Sequence, residues 1–257
     1  MLLEVLASSS SGNCYYVKFE NSASLLLDAG ISVSDIKSKL FDRNLSLSKV
    51  DAVLITHDHK DHSKAAKQLA TREHLKVFGN SLVCSKNELL EPLKSKWLTS
   101  KIQVIPFNVE HDAEDSLGYV IQAGNERLLF VNDCKYFKAD IYSIPFDYVM
   151  IECNYSAKIV HTLHTQASKE NDHLMIKRYE RLLNSHMSDS NCLKILKKMD
   201  LSHCKAVFLM HLSDGHSNEF EFKNTFQKEL KIPVYICKKN GGVLWKKLFK
   251  LLKETTI

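Results

Sequence analysis

The segment THDHKDH, residues 56–62, places three histidines and two aspartates directly after a run of apolar residues. The run, DAVLITH, has the composition of a buried β-strand that ends at the first histidine. Because side chains alternate along an extended chain, His57 and His59 point to the same side, and Asp61 and His62 follow where a helix is predicted to begin. Imidazole and carboxylate are ligands that zinc, manganese and iron(II) prefer. The segment therefore predicts a metal site at a strand end, with a hydrated polar loop as the alternative.

Short β-favouring runs alternate with helical patterns along the whole chain, which indicates an α/β fold. Helices are predicted over residues 84–94, over a long stretch that ends near Leu183, and over the terminal residues 244–254. The terminal helix is expected to cover the core with an apolar face. No Pro/Gly/Ser-rich linker divides the chain, so one domain with two helix-covered sheets over residues 1–257 is the simplest architecture.

Composition sets limits on location and partners. The net charge of +5 is compatible with a polyanionic partner but does not establish one. Seven scattered cysteines, odd in number and without a CxxC pair, argue for a reducing compartment rather than a disulfide framework. Neither a signal peptide nor an apolar stretch near the roughly 20 residues of a membrane span is present, so a cytoplasmic location is expected. The oligomeric state stays open.

Three further residues follow apolar strands in the order that a known family requires. They are His111 in VEHDA, Asp133 in FVNDCKY and His211 in FLMHLS. With HxHxDH, they make the chain resemble the metallo-β-lactamase superfamily. That resemblance implies an αββα sandwich of two mixed β-sheets flanked by helices, and a hydrolase.

A closer resemblance is to the YycJ/WalJ-type branch, which is related to RNase Z-like phosphodiesterases. It is carried by SSSSGNCYYV (residues 8–17), LLLDAG (25–30), the HDA at His111 and the HLS at His211. It implies a DNA nuclease that works from the 5′ end. Alternatives left open are a hydrolase of a small or cyclic phosphodiester, a catalytically silent nucleic-acid or nucleotide binder and, on the cluster alone, a β-lactamase or thioester hydrolase.

The resemblance also implies a dinuclear centre of two divalent ions, zinc or manganese, with iron as a further candidate. One ion would be held by His57, His59 and His111, and the other by Asp61, His62 and His211. Asp133 would bridge the ions rather than its neighbour Cys134, which is expected to be packed in the core. A hydroxide shared by the two ions would then attack phosphorus.

Other residues are expected to assist this chemistry. The predicted catalytic residues are Asp61 and His186, the latter through proton transfer at the scissile phosphate. Asp28 either orients a ligand imidazole or caps the end of its strand. The predicted substrate-binding residues are Asn13, Lys135, Lys177, Arg178 and Arg181. For the helical cations the alternative is a solvated face, and for Asn13 a polar turn. Lys135 stands where the family usually has glycine, and either changes the turn or places a cation over the phosphate.

Overall fold

Strands and helices alternate along the chain, and the computed structural model describes residues 1–246. The strands are β1 Leu2–Ser9, β2 Gly12–Lys18, β3 Ser24–Leu27, β4 Ala52–Leu54, β5 Val77–Phe78, β6 Lys96–Thr99, β7 Ile102–Glu110, β8 Leu117–Ala123, β9 Glu126–Val131, β10 Tyr136–Phe137, β11 Tyr148–Glu152, β12 Ala206–Met210, β13 Val234–Ile236 and β14 Gly242–Lys246. The helices are α1 Val33–Phe41, α2 Lys60–Ser63, α3 Ala66–Thr71, α4 Ala157–Lys169, α5 His173–Ser185, α6 Asp189–Lys198 and α7 Glu219–Leu230, and a 3-10 helix spans Leu47–Lys49.

Over the described residues the strands form two mixed sheets. The first has six strands in the order β14-β1-β2-β3-β4-β5, with β3, β4 and β5 parallel. The second has eight strands and runs β10-β7-β8-β9-β11-β12-β13, with β6 paired to β7. Strands β9, β11, β12 and β13 are parallel to one another. The predicted α/β fold with two mixed sheets is confirmed.

Apolar side chains from the inner faces of both sheets form one core between them. Tyr15 of β2 and Phe130 of β9 meet there edge to face, with ring centroids 5.9 Å apart. The alternation of side chains leaves a second apolar set on each outer face. Helices α1 and α3 cover the outer face of the first sheet, and α6 and α7 cover that of the second. These layers give the predicted αββα sandwich.

The long helix predicted up to Leu183 is two helices. Asn171 adopts a left-handed backbone with φ of 53°, which ends α4. Asp172 then caps α5, because its side chain accepts a hydrogen bond from the Met175 amide at 3.1 Å. The α4–α5 pair has its own small apolar cluster around Tyr179.

Two other helix predictions are wrong where the structure describes them. Residues 84–94 form turns, because the Leu90 amide donates to the Gly79 carbonyl at 2.9 Å instead of closing a helical turn. Of the predicted terminal helix 244–254, residues 244–246 belong to β14, which pairs with β1. The rest of that helix lies outside the described residues. No helix among residues 1–246 is long and apolar enough to cross a bilayer.

Backbone packing joins the turn after β3 to the histidine segment. The Ala29 amide donates to the His62 carbonyl at 2.7 Å, and the Gly30 amide donates to the Asn13 carbonyl at 2.8 Å. A Cβ on Gly30 would lie 1.6 Å from the Asp61 carbonyl oxygen. Only a residue without a side chain fits there, so Gly30 fixes how closely the histidine segment approaches β2 and β3.

We expect Gly30→Ala to displace the histidine segment and to lower the free energy of unfolding by about 1–3 kcal/mol. Metal content per chain should fall with it. The matched control is Gly215→Ala, since a Cβ at Gly215 meets nothing within 4 Å. Urea denaturation and metal analysis of both variants test this, and equal behaviour of the two would contradict it.

Candidate metal centre

Several site residues follow the carboxyl ends of parallel strands, where neighbouring strand ends meet at one edge. Asp28 follows β3 directly, His211 follows β12 directly, and Asp133 follows β9 after one residue. All three have left-handed backbones, with φ of 55°, 54° and 43° respectively. Such a conformation costs a residue with a side chain about 1–3 kcal/mol and persists only when the surroundings enforce it. The left-handed backbone at each of these positions turns the chain sharply at the strand end and places the side chain at the shared edge.

His57, His59 and His111 form one donor cluster. Their ligand atoms lie within 4.8 Å of one another. The His57 Nδ1–H donates to Thr56 Oγ1 at 3.0 Å, and the His111 Nδ1–H donates to the Ser185 carbonyl at 2.7 Å. Both bonds leave Nε2 as the acceptor, and within the described chain neither buried Nε2 has a hydrogen-bond partner. The Nε2 atom of His111 also lies 3.0 Å from Asp112 Oδ1, a carboxylate oxygen that cannot donate to it. Burial lowers the pKa of both imidazoles, which keeps them in the neutral form that binds metal.

Asp28 orients the ring of His62, and it also caps the end of β3. Its Oδ2 accepts from His62 Nδ1 at 2.8 Å, while Oδ1 accepts from the Thr56 amide and hydroxyl, each at 2.9 Å. The Nε2 atom of His62 is 3.2 Å from Asp133 Oδ2 and 3.4 Å from Asp61 Oδ2. Burial of His62 opposes protonation, but Asp133 and Asp28 raise its pKa well above the ordinary value.

Asp133, Glu152, His186 and His211 form a second donor cluster. The Nδ1 atom of His211 lies 2.5 Å from Asp133 Oδ1 and 3.2 Å from Glu152 Oε1. Burial opposes its protonation, but these two carboxylates raise the pKa of His211 to about 10. Burial also works against the charge on Asp133, yet His211 and His62 hold its pKa well below the usual range. A divalent cation at this position would replace the protons that now balance the carboxylates.

His186 is the C-cap of α5, and its ring is held by Glu152. The Nδ1–H of His186 donates to Glu152 Oε1 at 2.6 Å. Glu152 Oε2 accepts from the Cys134 amide at 2.7 Å and from the Met187 amide at 3.1 Å. Burial disfavours charge on Glu152, but His186 and His211 lower its pKa, and Glu152 in turn raises that of His186. Glu152 thus fixes the ring of His186 within the second donor cluster.

The donor chemistry fits divalent metal ions. His57, His111 and His211 each keep a buried Nε2 without a hydrogen-bond partner in the described chain, and such atoms cost free energy unless a ligand satisfies them. The first predicted ligand set, His57, His59 and His111, is brought together. The second is divided differently: His62 groups with His57 and Asp133, while His211 groups with Asp133, Glu152 and His186.

The clusters open into a cavity of about 360 Å³ between the strand ends and α5. Its lining residues are Ser10, His59, Asp61, His111, Asp112, Asp133, Asn154, Arg178, Arg181, Leu182, Ser185, His186, His211, Leu212, Ser213 and His216. Of the predicted substrate-binding residues, Arg178 and Arg181 therefore face the cavity.

The other three predicted substrate-binding residues are placed elsewhere. Asn13 is fully buried behind the cavity, where Nδ2 donates to the Ser9 carbonyl at 2.9 Å and lies 3.1 Å from His62 Nε2. Lys135 is tied to Asn184 Oδ1 at 3.0 Å, and Lys177 is exposed one position before Arg178. None of the three is among the lining residues. The structure therefore gives them contacts with the protein or solvent, not with the cavity.

Glu152 was not predicted from the sequence, although it is fully buried and holds two site histidines. The available signal was an acidic residue at the end of the apolar run FDYVMIECN. Cys134, by contrast, packs in the core beside the second sheet, as expected.

Comparison with known proteins agrees with this geometry. The model of the β-lactamase superfamily domain matches residues 24–212, well over half of the chain. The chain belongs to this superfamily. Exodeoxyribonuclease YycJ of Bacillus anthracis is 32% identical over 143 residues, which cover 51% of this chain and 54% of that protein. Exodeoxyribonuclease WalJ of Streptococcus pneumoniae is 26% identical over 227 residues, 81% of this chain and 80% of that one.

Among solved structures, the metallo-β-lactamase fold protein YhfI from Bacillus subtilis superposes with a TM-score of 0.68 at 17% identity. The superposition covers 95% of this chain and 98% of that one. The predicted resemblance to the superfamily and its YycJ/WalJ-type branch is confirmed. As a superfamily member with these donor clusters, the chain has the fold and the side chains of a metal-dependent hydrolase.

Within this β-lactamase superfamily site, Glu152→Gln should lower the free energy of unfolding by about 3 kcal/mol, because His186 and His211 lose the buried carboxylate that faces them. The control is Glu180→Gln, since Glu180 is an exposed residue of α5. Chemical denaturation of both variants provides the measurement. A Glu152→Gln protein as stable as the control would show that the carboxylate does not hold this side of the site.

Proposed function

We propose that the protein is a dinuclear metal-dependent phosphodiesterase, and specifically a DNA exonuclease that works from the 5′ end. The proposal rests on one observation: the metal donor clusters and a histidine held by a buried carboxylate lie at the same cavity. Among residues 1–246, the Nε2 atoms of His57, His111 and His211 have no hydrogen-bond partner, and His186 is held nearby by the Glu152 carboxylate.

The first proposed set of metal ligands coincides with a donor cluster, whereas the second combines Asp61 with residues of two different clusters. His57, His59 and His111 would hold one ion, and Asp61, His62 and His211 would hold the other, with Asp133 between them. Two divalent ions in such a cage supply Lewis acidity toward phosphoryl oxygens and a water of lowered pKa. Zinc and manganese suit this mixture of imidazole and carboxylate, and iron(II) is also compatible with it.

The residues of the chain would bind the substrate and move a proton. Asp61 lines the cavity at the edge where the phosphodiester would lie. His186 would donate a proton to the leaving oxygen, since Glu152 raises its pKa and fixes its Nδ1. Arg181 at the cavity rim would offer guanidinium donors to the oxygens of the phosphate.

DNA as the substrate is supported by the names of two relatives, both called exodeoxyribonuclease. The net charge of +5 is in keeping with a polyanionic partner. A cytoplasmic location is part of the proposal, since the seven cysteines are free. The competing substrate is a small or cyclic phosphodiester, which would use the same cluster.

Substrate class is tested with end-labelled single- and double-stranded DNA and RNA, with manganese or zinc present. We expect nucleotides to be released one at a time from the 5′ end of DNA, with RNA degraded more slowly. A cyclic mononucleotide serves as the competing substrate. Hydrolysis of the cyclic compound without degradation of any strand would contradict the nuclease proposal.

The metal assignment is tested by His57→Ala, which removes a buried ligand. We expect metal content to fall by at least one ion per chain and activity to fall by more than about 100-fold, because even outer partners of ligands contribute about 10–100-fold. His203→Ala is the control, since His203 is exposed. Unchanged metal content in the His57 variant would refute its role as a ligand.

A further inference from the structure

The face of α5 that lines the cavity carries two arginines with different surroundings. Arg178, Arg181, Leu182 and Ser185 all line the cavity, and their spacing of three, four and seven residues puts them on one side of the helix. Arg181 Nε donates to Asp112 Oδ2 at 2.8 Å. Arg178 has no such partner in the part of the chain that the structure describes. Only one of the two cations is therefore neutralised by the protein.

A fixed polar loop lines the cavity near Arg178. The Nδ1 atom of His216 lies 3.0 Å from Ser213 Oγ. The backbone carbonyl of His216 accepts a hydrogen bond from the Ser156 amide at 2.8 Å. The ring of Tyr179, the neighbour of Arg178 on α5, packs edge-on against His216 at 5.7 Å. Burial lowers the pKa of His216, and the charge of Arg178 lowers it further, which indicates that the guanidinium lies near this loop.

The carboxylates that line the cavity are already engaged. Asp133 faces His211, Asp61 Oδ2 lies 3.4 Å from a nitrogen of His62, and Asp112 accepts from Arg181. None of these three carboxylates therefore pairs with Arg178. An uncompensated guanidinium beside a hydroxyl and an imidazole in a concave site is suited to an anion with several oxygens.

We propose that Arg178, with Ser213 and His216, binds a second phosphate of the substrate, adjacent in the strand to the phosphate beside His186. This inference rests on the proposed function and narrows its substrate class. Residue 178 lies about 12 Å from His186 along the axis of α5, and its long side chain reaches into the cavity that both residues line. A substrate with two phosphates would therefore engage both side chains. A cyclic mononucleotide has one phosphate and would leave Arg178 unused.

The test is binding of thymidine 3′,5′-bisphosphate and thymidine 5′-monophosphate to the metal-loaded protein, measured by titration calorimetry. We expect the bisphosphate to bind about tenfold more tightly, the effect of one charged hydrogen-bonded contact. Arg178→Ala should remove this preference, and Arg178→Lys should restore part of it, since lysine keeps the charge but loses the planar fork. Lys177→Ala should leave it unchanged.

A second readout uses a cleavage-resistant phosphorothioate oligonucleotide over a range of salt concentrations. Arg178→Ala should reduce the slope of log affinity against log salt by about 0.7, the value for one contact to a single strand. The inference would be overturned if the unmodified protein bound the bisphosphate and the monophosphate with equal affinity. It would also be overturned if the Arg178→Ala and Lys177→Ala variants had the same bisphosphate preference and the same salt dependence.

The two proposals fail in different ways. If strands are degraded but Arg178→Ala keeps the full bisphosphate preference, the second-phosphate site is wrong and the nuclease stands. If the preference depends on Arg178 but no strand is degraded, the site is supported and the nuclease proposal is wrong. If the unmodified protein neither prefers the bisphosphate nor degrades any strand, both proposals are wrong.

Discussion

The buried carboxylate of Asp133 is the contact on which the site depends, because it lies between imidazoles carried by the two sheets. His62, which follows β4 of the first sheet, approaches one oxygen at 3.2 Å, and His211 of the second sheet approaches the other at 2.5 Å. A buried charge without partners is strongly destabilising. The edge of the sandwich therefore needs positive charge at this point, which protonated imidazoles or a metal ion can supply. The demand for a cation is built into the packing of the two sheets.

The direction of each imidazole is set by what holds its Nδ1 atom. Thr56 Oγ1 accepts from His57, a carboxylate accepts from His62, and the Ser185 carbonyl accepts from His111. For His57 and His111 the bond selects the tautomer and leaves Nε2 to accept a cation, and for His62 it holds Nε2 beside Asp133. The partners come from a neighbouring residue, another strand end and a helix 74 residues away. A cage assembled in this way depends on the whole fold rather than on the short histidine segment.

The sequence predicted what depends on local pattern and missed what depends on packing. The sequence indicated His57, His111, Asp133 and His211, because each follows an apolar strand in the order that the metallo-β-lactamase superfamily requires. Glu152 was missed, since an acidic residue after an apolar strand does not indicate that two distant histidines face it. Residues 84–94 have helical composition, but the Leu90 amide donates to Gly79 after β5 and the Leu93 amide donates to Pro106 of β7.

The side chains that line the cavity were the least predictable part, because neighbours on one helix face different directions. Lys177 and Arg178 are equivalent cations in the sequence, yet only Arg178 lines the cavity. Helix α5 anchors His111 through the Ser185 carbonyl and carries His186 as its C-cap, so it completes the metal site while its outer turns shape the cavity. Its apolar contacts form a cluster separate from the sandwich core. Substitutions on α5 away from Ser185 and His186 can therefore change the lining of the cavity without disturbing the core between the two sheets.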